Sequence, residues 1–170
     1  AIYFLIGFFS KKIIAHSLGI KDVLVGDYKI NSTKIEVIAH GVPEEVRYQL
    51  SEVSSQLIER VDKKEFLLYF GYLHRRKGVQ YLVEAFKKVS EKYPDLILIL
   101  AGGTVLANYA VEIKDQINAL GLANKVFITG FIKLPELRYL LEKCQFVVLP
   151  AIYSIAASGP LAQAFAHGKP

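Results

Sequence analysis

An α/β fold built on a doubly wound parallel sheet is predicted for most of this chain by three observations. From Glu65 onward, short apolar runs alternate with amphipathic stretches, the strand–helix rhythm that a parallel sheet requires. Residues 66–70 and 96–100 are apolar at almost every position, as strands covered on both faces are. Each apolar run stops at a residue that breaks strands: Gly71, the pair Gly102-Gly103, Gly130 and Pro150.

The elements follow in order. After the first strand at 66–70, a helix begins near Val79, with Val79, Leu82, Val83, Phe86 and Val89 at helical spacing and Pro94-Asp95 at its end. A second strand at 96–100 leads to a helix with the stripe Ala110, Ile113, Ile117 and Leu120, which Gly121 stops. The third strand covers 126–128. Pro135 suits the first turn of the next helix, whose stripe is Leu137, Leu140, Leu141 and Cys144. A fourth strand at 146–149 halts at Pro150, and Ser158 reads as the N-cap of a last helix with Pro160 in its first turn. Upstream, 12–15 and 35–38 are strand-like around a helical stretch at 20–25, and 43–64 is polar and partly helical, as an interdomain connection is. Residues 1–9 are apolar but too few to span a bilayer, so a buried helix or strand is expected there. The lack of methionine and the stop at Gly168-Lys169-Pro170 read as an excerpt from a longer protein.

Composition narrows the partners. Hydrophobic residues make up 52% and charged residues 22%, enough for a packed core. The formal charge of +5 is spread along the chain except at Arg75-Arg76-Lys77, which argues against nucleic acid and fits phosphorylated substrates or an anionic membrane face. Cys144 is the single cysteine, so no intrachain disulfide forms and a cytoplasmic setting is the simplest expectation. Its place on an apolar stripe makes it a structural thiol. His16, His40, His74 and His167 lack metal-ligand spacing, so no metal site is expected.

In a doubly wound sheet, ligands bind beyond the carboxyl ends of the strands where the strand order reverses. With the common order, that point lies between the first and fourth strands, so 71–78 and 150–160 are the segments of interest. In the first, Lys77 is placed to pair with a diphosphate, while Arg75 reads as part of a solvated turn. In the second, Ser158-Gly159 at a helix start forms either an anion cradle one donor short, because Pro160 has no amide, or an ordinary capped helix. Gly102-Gly103 allows the backbone to approach a ligand or simply marks a turn. Gly130, Phe131 and Ile132 either offer backbone groups to a nucleobase or form a plain loop.

Taken together, "KIEVIAHGV" at 34–42, "FGYLHRRKGVQYLVEAF" at 70–86, "LILILAGG" at 96–103, "KVFITGFIKLPELRYLLEKCQFVVLP" at 125–150 and "SGPLAQAFAHGKP" at 158–170 resemble the retaining glycosyltransferases of family 4, with "SKKIIAHS" at 10–17 extending the match. The resemblance implies the two-Rossmann-domain GT-B fold. Residues 1–42 would end the N-terminal acceptor domain, 43–64 would connect, and 65–170 would be a truncated C-terminal nucleotide-sugar-binding domain. It implies transfer of a sugar from a UDP- or GDP-sugar to a glycan or lipid-linked acceptor with retention, at the cytoplasmic side of a membrane, with no cofactor and no metal. Lys77 matches the family lysine that stabilises the leaving diphosphate. Tyr72 stands where the family has arginine, with Arg76 as the substitute. Gly71, Gly102, Gly103, Phe131, Ile132, Ser158, Gly159 and Gln163 would line the donor. Two family glutamates correspond to Ile155 and Gln163; Gln163 retains hydrogen-bonding capacity for a ribose and Ile155 does not. That loss motivates an alternative, a catalytically degenerate partner that binds nucleotide-sugar without turnover. A third reading is a Rossmann module for some other phosphorylated ligand. The 170-residue chain by itself is expected to be inactive.

Overall fold

The computed structural model describes residues 2–42, 48–104, 107–152 and 158–170, so Ile155 and part of the expected connection at 43–64 lie outside the described residues. The chain forms two compact units, one of Ala1–Val42 with Ser154–Ala162, the other of Pro43–Tyr153 with Gln163–Pro170.

In the first unit, helix α1 (Ile2–Phe9), strand β1 (Ile13–Ala15), helix α2 (Leu18–Gly26) and strand β2 (Ile35–Val37) follow one another. The two strands pair in parallel, Ile13 opposite Ile35. Ser17 caps α2 by accepting from the Ile20 amide. The core is small: Ala15, Ile30 and Ile35, backed by Ile13, Ile20, Leu24 and Val25. A buried helix or strand was expected at 1–9; residues 2–9 are helical but not buried. Ile2, Tyr3, Phe4, Leu5, Ile6, Phe8 and Phe9 are all exposed, and only Gly7 is covered. The reason is geometric: Ile30 packs where a Gly7 side chain would stand, and Tyr28 meets the Tyr3 ring, so one narrow side of α1 is occupied. Lys34 holds the helix end, donating to the Gly7 and Phe8 carbonyls at 2.9 and 3.1 Å. Among the described residues, no helix is long and apolar enough to cross a membrane.

The second unit is a four-stranded parallel sheet with helices on both faces. Helix α3 (Ser55–Val61) precedes β3 (Phe66–Phe70), α4 (Val79–Lys92), β4 (Ile97–Ala101), α5 (Ala107–Ala119), β5 (Val126–Gly130), α6 (Leu134–Lys143), β6 (Phe146–Val147) and α7 (Gly159–Ala166), whose first turn groups with the other unit. The strand order is β5-β4-β3-β6, so the first and fourth strands of the sheet are neighbours, as expected. Every residue of β3 and β4 is buried. Alternation then divides them: Leu67 and Tyr69 face Val79, Val83 and Phe86 of α4 and Ile113 of α5, while Phe66, Leu68 and Phe70 face Leu57 of α3 and Leu140 and Leu141 of α6. Each such large side chain contributes about 1.5–3 kcal/mol on burial.

Three strands of this sheet depart from the expected bounds, the third by running two residues further, to Gly130. The second starts one residue later because the Leu96 amide is used by Tyr93 in a turn. The fourth is shorter, residues 146–147 instead of 146–149. Among the described residues its one strand partner is β3, and Pro150 supplies no amide, although Val148 still donates to the Leu68 carbonyl. Cys144 caps α6 and is buried; desolvation raises its thiol pKa, consistent with a structural role.

The Tyr48 hydroxyl donates to Glu142 of α6 at 2.7 Å, and burial, followed by that hydrogen bond, pushes its pKa from 10.0 to about 12. Burial also raises the pKa of Tyr69, Tyr109 and Tyr139. A raised pKa means that the folded state holds protons the unfolded state has released, so stability is complete below pH 10.0 and falls as pH rises towards 12. Denaturation midpoints measured at about pH 8 and about pH 11 should show this decline, and Tyr48→Phe should lessen it. Equal midpoints at the two pH values would contradict the assignment.

Candidate functional site

The carboxyl ends of β3, β4, β5 and β6 carry the candidate site, and backbone contacts fix its shape. Gly71 leaves β3 with φ 127° and donates to the Ala101 carbonyl, then Leu73 donates to Gly103. His74 accepts from the Arg76 amide and caps a 3₁₀ turn at Arg75–Lys77. Gly78 closes the turn in the left-handed region (φ 71°) and leads into α4. A Cβ at Gly78 would lie 2.1 Å from the Pro150 carbonyl oxygen, and the Ile152 amide donates to the Arg76 carbonyl at 3.1 Å. Thus the loop after β6 and the turn after β3 are packed backbone against backbone.

The three cations of that turn separate sharply. Arg75, expected to be solvated, instead pairs with Glu112 of α5 and lies 5.5 Å from the Tyr109 ring centre. It remains largely exposed, so the pair is worth about 0–1 kcal/mol; proximity to α5 overrides simple solvation. Arg76 and Lys77 are exposed, and among the described residues their side chains have no hydrogen bond or ion pair. Two uncompensated positive charges therefore stand at the strand crossover, where an anion would gain most.

Gly102 and Gly103 differ in kind. A Cβ at Gly102 would meet the Gly71 carbonyl oxygen at 1.9 Å, so its absence serves the packing of two strand ends. One at Gly103 would sit at an ordinary 3.7 Å from Phe131 Cβ. Phe131, which follows Gly130 (φ 73°), is 80% exposed, while Ile132 packs against the α3 and α6 side of the core. The structure therefore gathers Gly71, Arg76, Lys77, Gly102, Gly103 and Phe131 at adjoining strand ends. Gln163 is a half-buried residue of α7 whose carbonyl accepts from His167.

Ser158 and Gly159 belong to the first unit. Ser158 Oγ accepts from the Leu161 amide and its carbonyl from the Ala162 amide, the pattern of a capped helix, which leaves the Gly159 amide as the remaining donor of the first turn. The His40 imidazole is 3.6 Å from where a Gly159 Cβ would be, and its ring lies 5.4 Å from that of His16. Neither histidine was identifiable by spacing, because residues 16, 40 and 159 are far apart in sequence. Among the described residues, no group of three or more His, Cys, Asp or Glu could hold a metal. A groove of about 980 Å³ lies elsewhere, lined by Tyr48, Ile58, Asp62, Arg138, Glu142 and His167. It contains none of the expected donor-site residues, and the exposed Arg76 and Lys77, without a side-chain partner among the described residues, make the strand ends the better candidate site.

Comparison with known proteins gives the family and the fold. Residues 52–170 match the family described as Glycosyl transferases group 1. The chain belongs to that family. It is 28% identical over 149 residues to an uncharacterised glycosyltransferase of Methanocaldococcus jannaschii, a match covering 85% of this chain and 37% of the relative. The mannosylfructose-phosphate synthase of Agrobacterium fabrum is 26% identical, with 88% of this chain and 34% of the relative covered. Among solved structures, Anabaena HepE in complex with UDP and glucose superposes with a TM-score of 0.80 at 24% identity, covering 98% of this chain and 45% of that one. The fold is that of GT-B glycosyltransferases, and the chain spans about a third to under a half of these proteins.

The glycine contrast is testable. Gly102→Ala and Gly78→Ala each force a backbone clash and should cost about 1–3 kcal/mol in denaturant unfolding. Gly103→Ala should stay within about 0.5 kcal/mol of the parent. Equal stability of the Gly102 and Gly103 variants would mean that the strand ends are not packed as described.

Proposed function

We propose that this chain supplies the donor side of an enzyme that transfers a sugar from a UDP- or GDP-sugar to a glycan or lipid-linked acceptor with retention of configuration. The observation that carries the reading is the pair of unpaired cations, Arg76 and Lys77, on a turn locked at the sheet crossover of a group 1 glycosyltransferase. Residues 65–170 are read as the donor-binding domain, 1–42 as the end of the acceptor domain, and 43–64 as their connection.

Cleavage of the bond between the sugar and the diphosphate leaves negative charge on the departing phosphate oxygens. Cations placed there bind the transition state better than the ground state and so lower the barrier. Lys77 takes this role, with Arg76 in place of the cation that Tyr72 cannot provide. Phe131, Ile132, Gly71, Gly102 and Gly103 would border the nucleoside, and Ser158, Gly159 and Gln163 the remainder of the donor. The reaction is placed at the cytoplasmic face of a membrane, where lipid-linked acceptors are available. HepE, a structural neighbour, binds UDP and glucose, which supports a nucleotide-sugar donor here. The 170-residue chain alone is expected to show no turnover.

Calorimetry of the full-length protein with UDP and GDP tests the reading. Lys77→Ala should weaken binding of the preferred nucleotide about tenfold or more, as the loss of a charge-assisted contact does. Unchanged affinity would remove Lys77 from the site. The residues Ile155 and Gln163, at the positions of the family glutamates, favour a second reading as a binding partner without turnover. Activity gained on Ile155→Glu with Gln163→Glu would support it; activity already present in the parent would exclude it.

A further inference from the structure

The turn that carries Arg76 and Lys77 is held from a third direction, by a polar chain running through α4 into α5. Gln80, in the first turn of α4, donates from Nε2 to the Arg75 carbonyl at 3.2 Å. That carbonyl also accepts from the Gly78 amide at 3.1 Å, so the crossing point of the 3₁₀ turn is secured twice. Gln80 Oε1 in turn accepts from the Tyr109 hydroxyl of α5 at 2.6 Å, and the Gln80 carbonyl accepts from Gln116 Nε2 at 3.0 Å. The circuit closes on the same helix, since Arg75 pairs with Glu112 and lies over the Tyr109 ring.

We propose that Tyr109 and Gln80 are positioning residues that set the Lys77 turn for the diphosphate of the donor. The inference rests on the reading of Lys77 given above and extends it to residues with no direct contact to substrate. Packing of α4 against α5 alone would be served by apolar side chains. Here Tyr109 is only 2% exposed, yet it directs its hydroxyl to Gln80. Both ends of that amide are consumed, one by α5 and one by the turn, so the amide has a single orientation. Desolvation raises the Tyr109 pKa, keeping the hydroxyl a donor across neutral pH. Removing the hydroxyl frees the amide to rotate, releases the Arg75 carbonyl from one of its two donors, and loosens the backbone two residues before Lys77.

A double-mutant cycle in the full-length protein separates positioning from general stability. Tyr109→Phe keeps the ring beside Arg75 and removes only the hydroxyl. Calorimetry with UDP and GDP, and with uridine and guanosine as phosphate-free controls, is carried out on the parent, Tyr109→Phe, Lys77→Ala and the double variant. The preferred diphosphate should bind about fivefold more weakly to Tyr109→Phe, as loss of one hydrogen bond implies. The matching nucleoside should bind unchanged, and Tyr109→Phe should cost nothing further in the Lys77→Ala background. Full additivity, equal losses for nucleotide and nucleoside, or no loss overturns the positioning role. If Lys77→Ala itself leaves both diphosphates unaffected, the donor-site reading fails and the positioning role falls with it, a result distinct from additivity. Should Tyr109→Phe fail to fold, Gln80→Met, which removes the same amide from the Arg75 carbonyl, is put through the same cycle, with the same outcomes deciding.

Discussion

Two places where backbone meets backbone without room for a side chain determine the working end of the sheet. At one, Gly78 lies under the Pro150 carbonyl; at the other, Gly102 lies against the carbonyl of Gly71. The first joins the turn after β3 to the loop after β6, and the second joins the ends of β3 and β4. Neither contact is specific to a ligand. Yet together they decide where Arg76, Lys77 and Gly103 stand, because residues between such contacts have few conformations left. The conformational entropy of the turn is removed during folding, which makes it a better anion site than a flexible basic loop of equal charge.

The same logic explains why one cation of three is neutralised. Arg75 is within reach of Glu112, and its guanidinium lies over the Tyr109 ring. Withdrawing it leaves the positive field concentrated at Arg76 and Lys77 instead of spread along the turn. Beneath them the sheet is stiff, with both faces of β3 and β4 packed by helices. The first unit presents a contrast: its described core consists of three buried residues and four partly buried ones, and its most apolar element is largely exposed.

Much of the second unit was legible in the sequence because its signals are local. The run FLLYF between Lys64-Glu65 and Gly71 can only be a strand covered on both sides, and the stripe from Val79 to Val89 fixes a helix face. Features that depend on partners remote in sequence were not legible. The apolar run at 1–9 predicts a helix or a strand without saying what stands opposite it, which is why burial was expected and exposure of residues 2–6, 8 and 9 found. The glycine pair Gly102-Gly103 gives no hint that one member is crowded by Gly71 and the other is not. Likewise a run of three basic residues cannot reveal that the first is claimed by Glu112, 37 positions away. The strand ends that hold the candidate residues were thus readable as a region, while which of those residues are crowded or paired depends on neighbours remote in sequence.

Cys144 gives the chain a built-in clock. It is the single thiol, it sits at the end of α6 among Leu140, Leu141 and Phe66, and it adjoins the short edge strand β6. A thiol so enclosed, with its pKa raised by burial, meets an alkylating reagent only while the surrounding structure is momentarily open. The labelling rate of the unmodified protein therefore follows the opening of the α6–β6 corner: its frequency when alkylation outpaces reclosing, and its equilibrium population when reclosing is faster. Because β6 leads directly to the loop packed on Gly78, the same measurement also reports on the contact between that loop and the turn after β3.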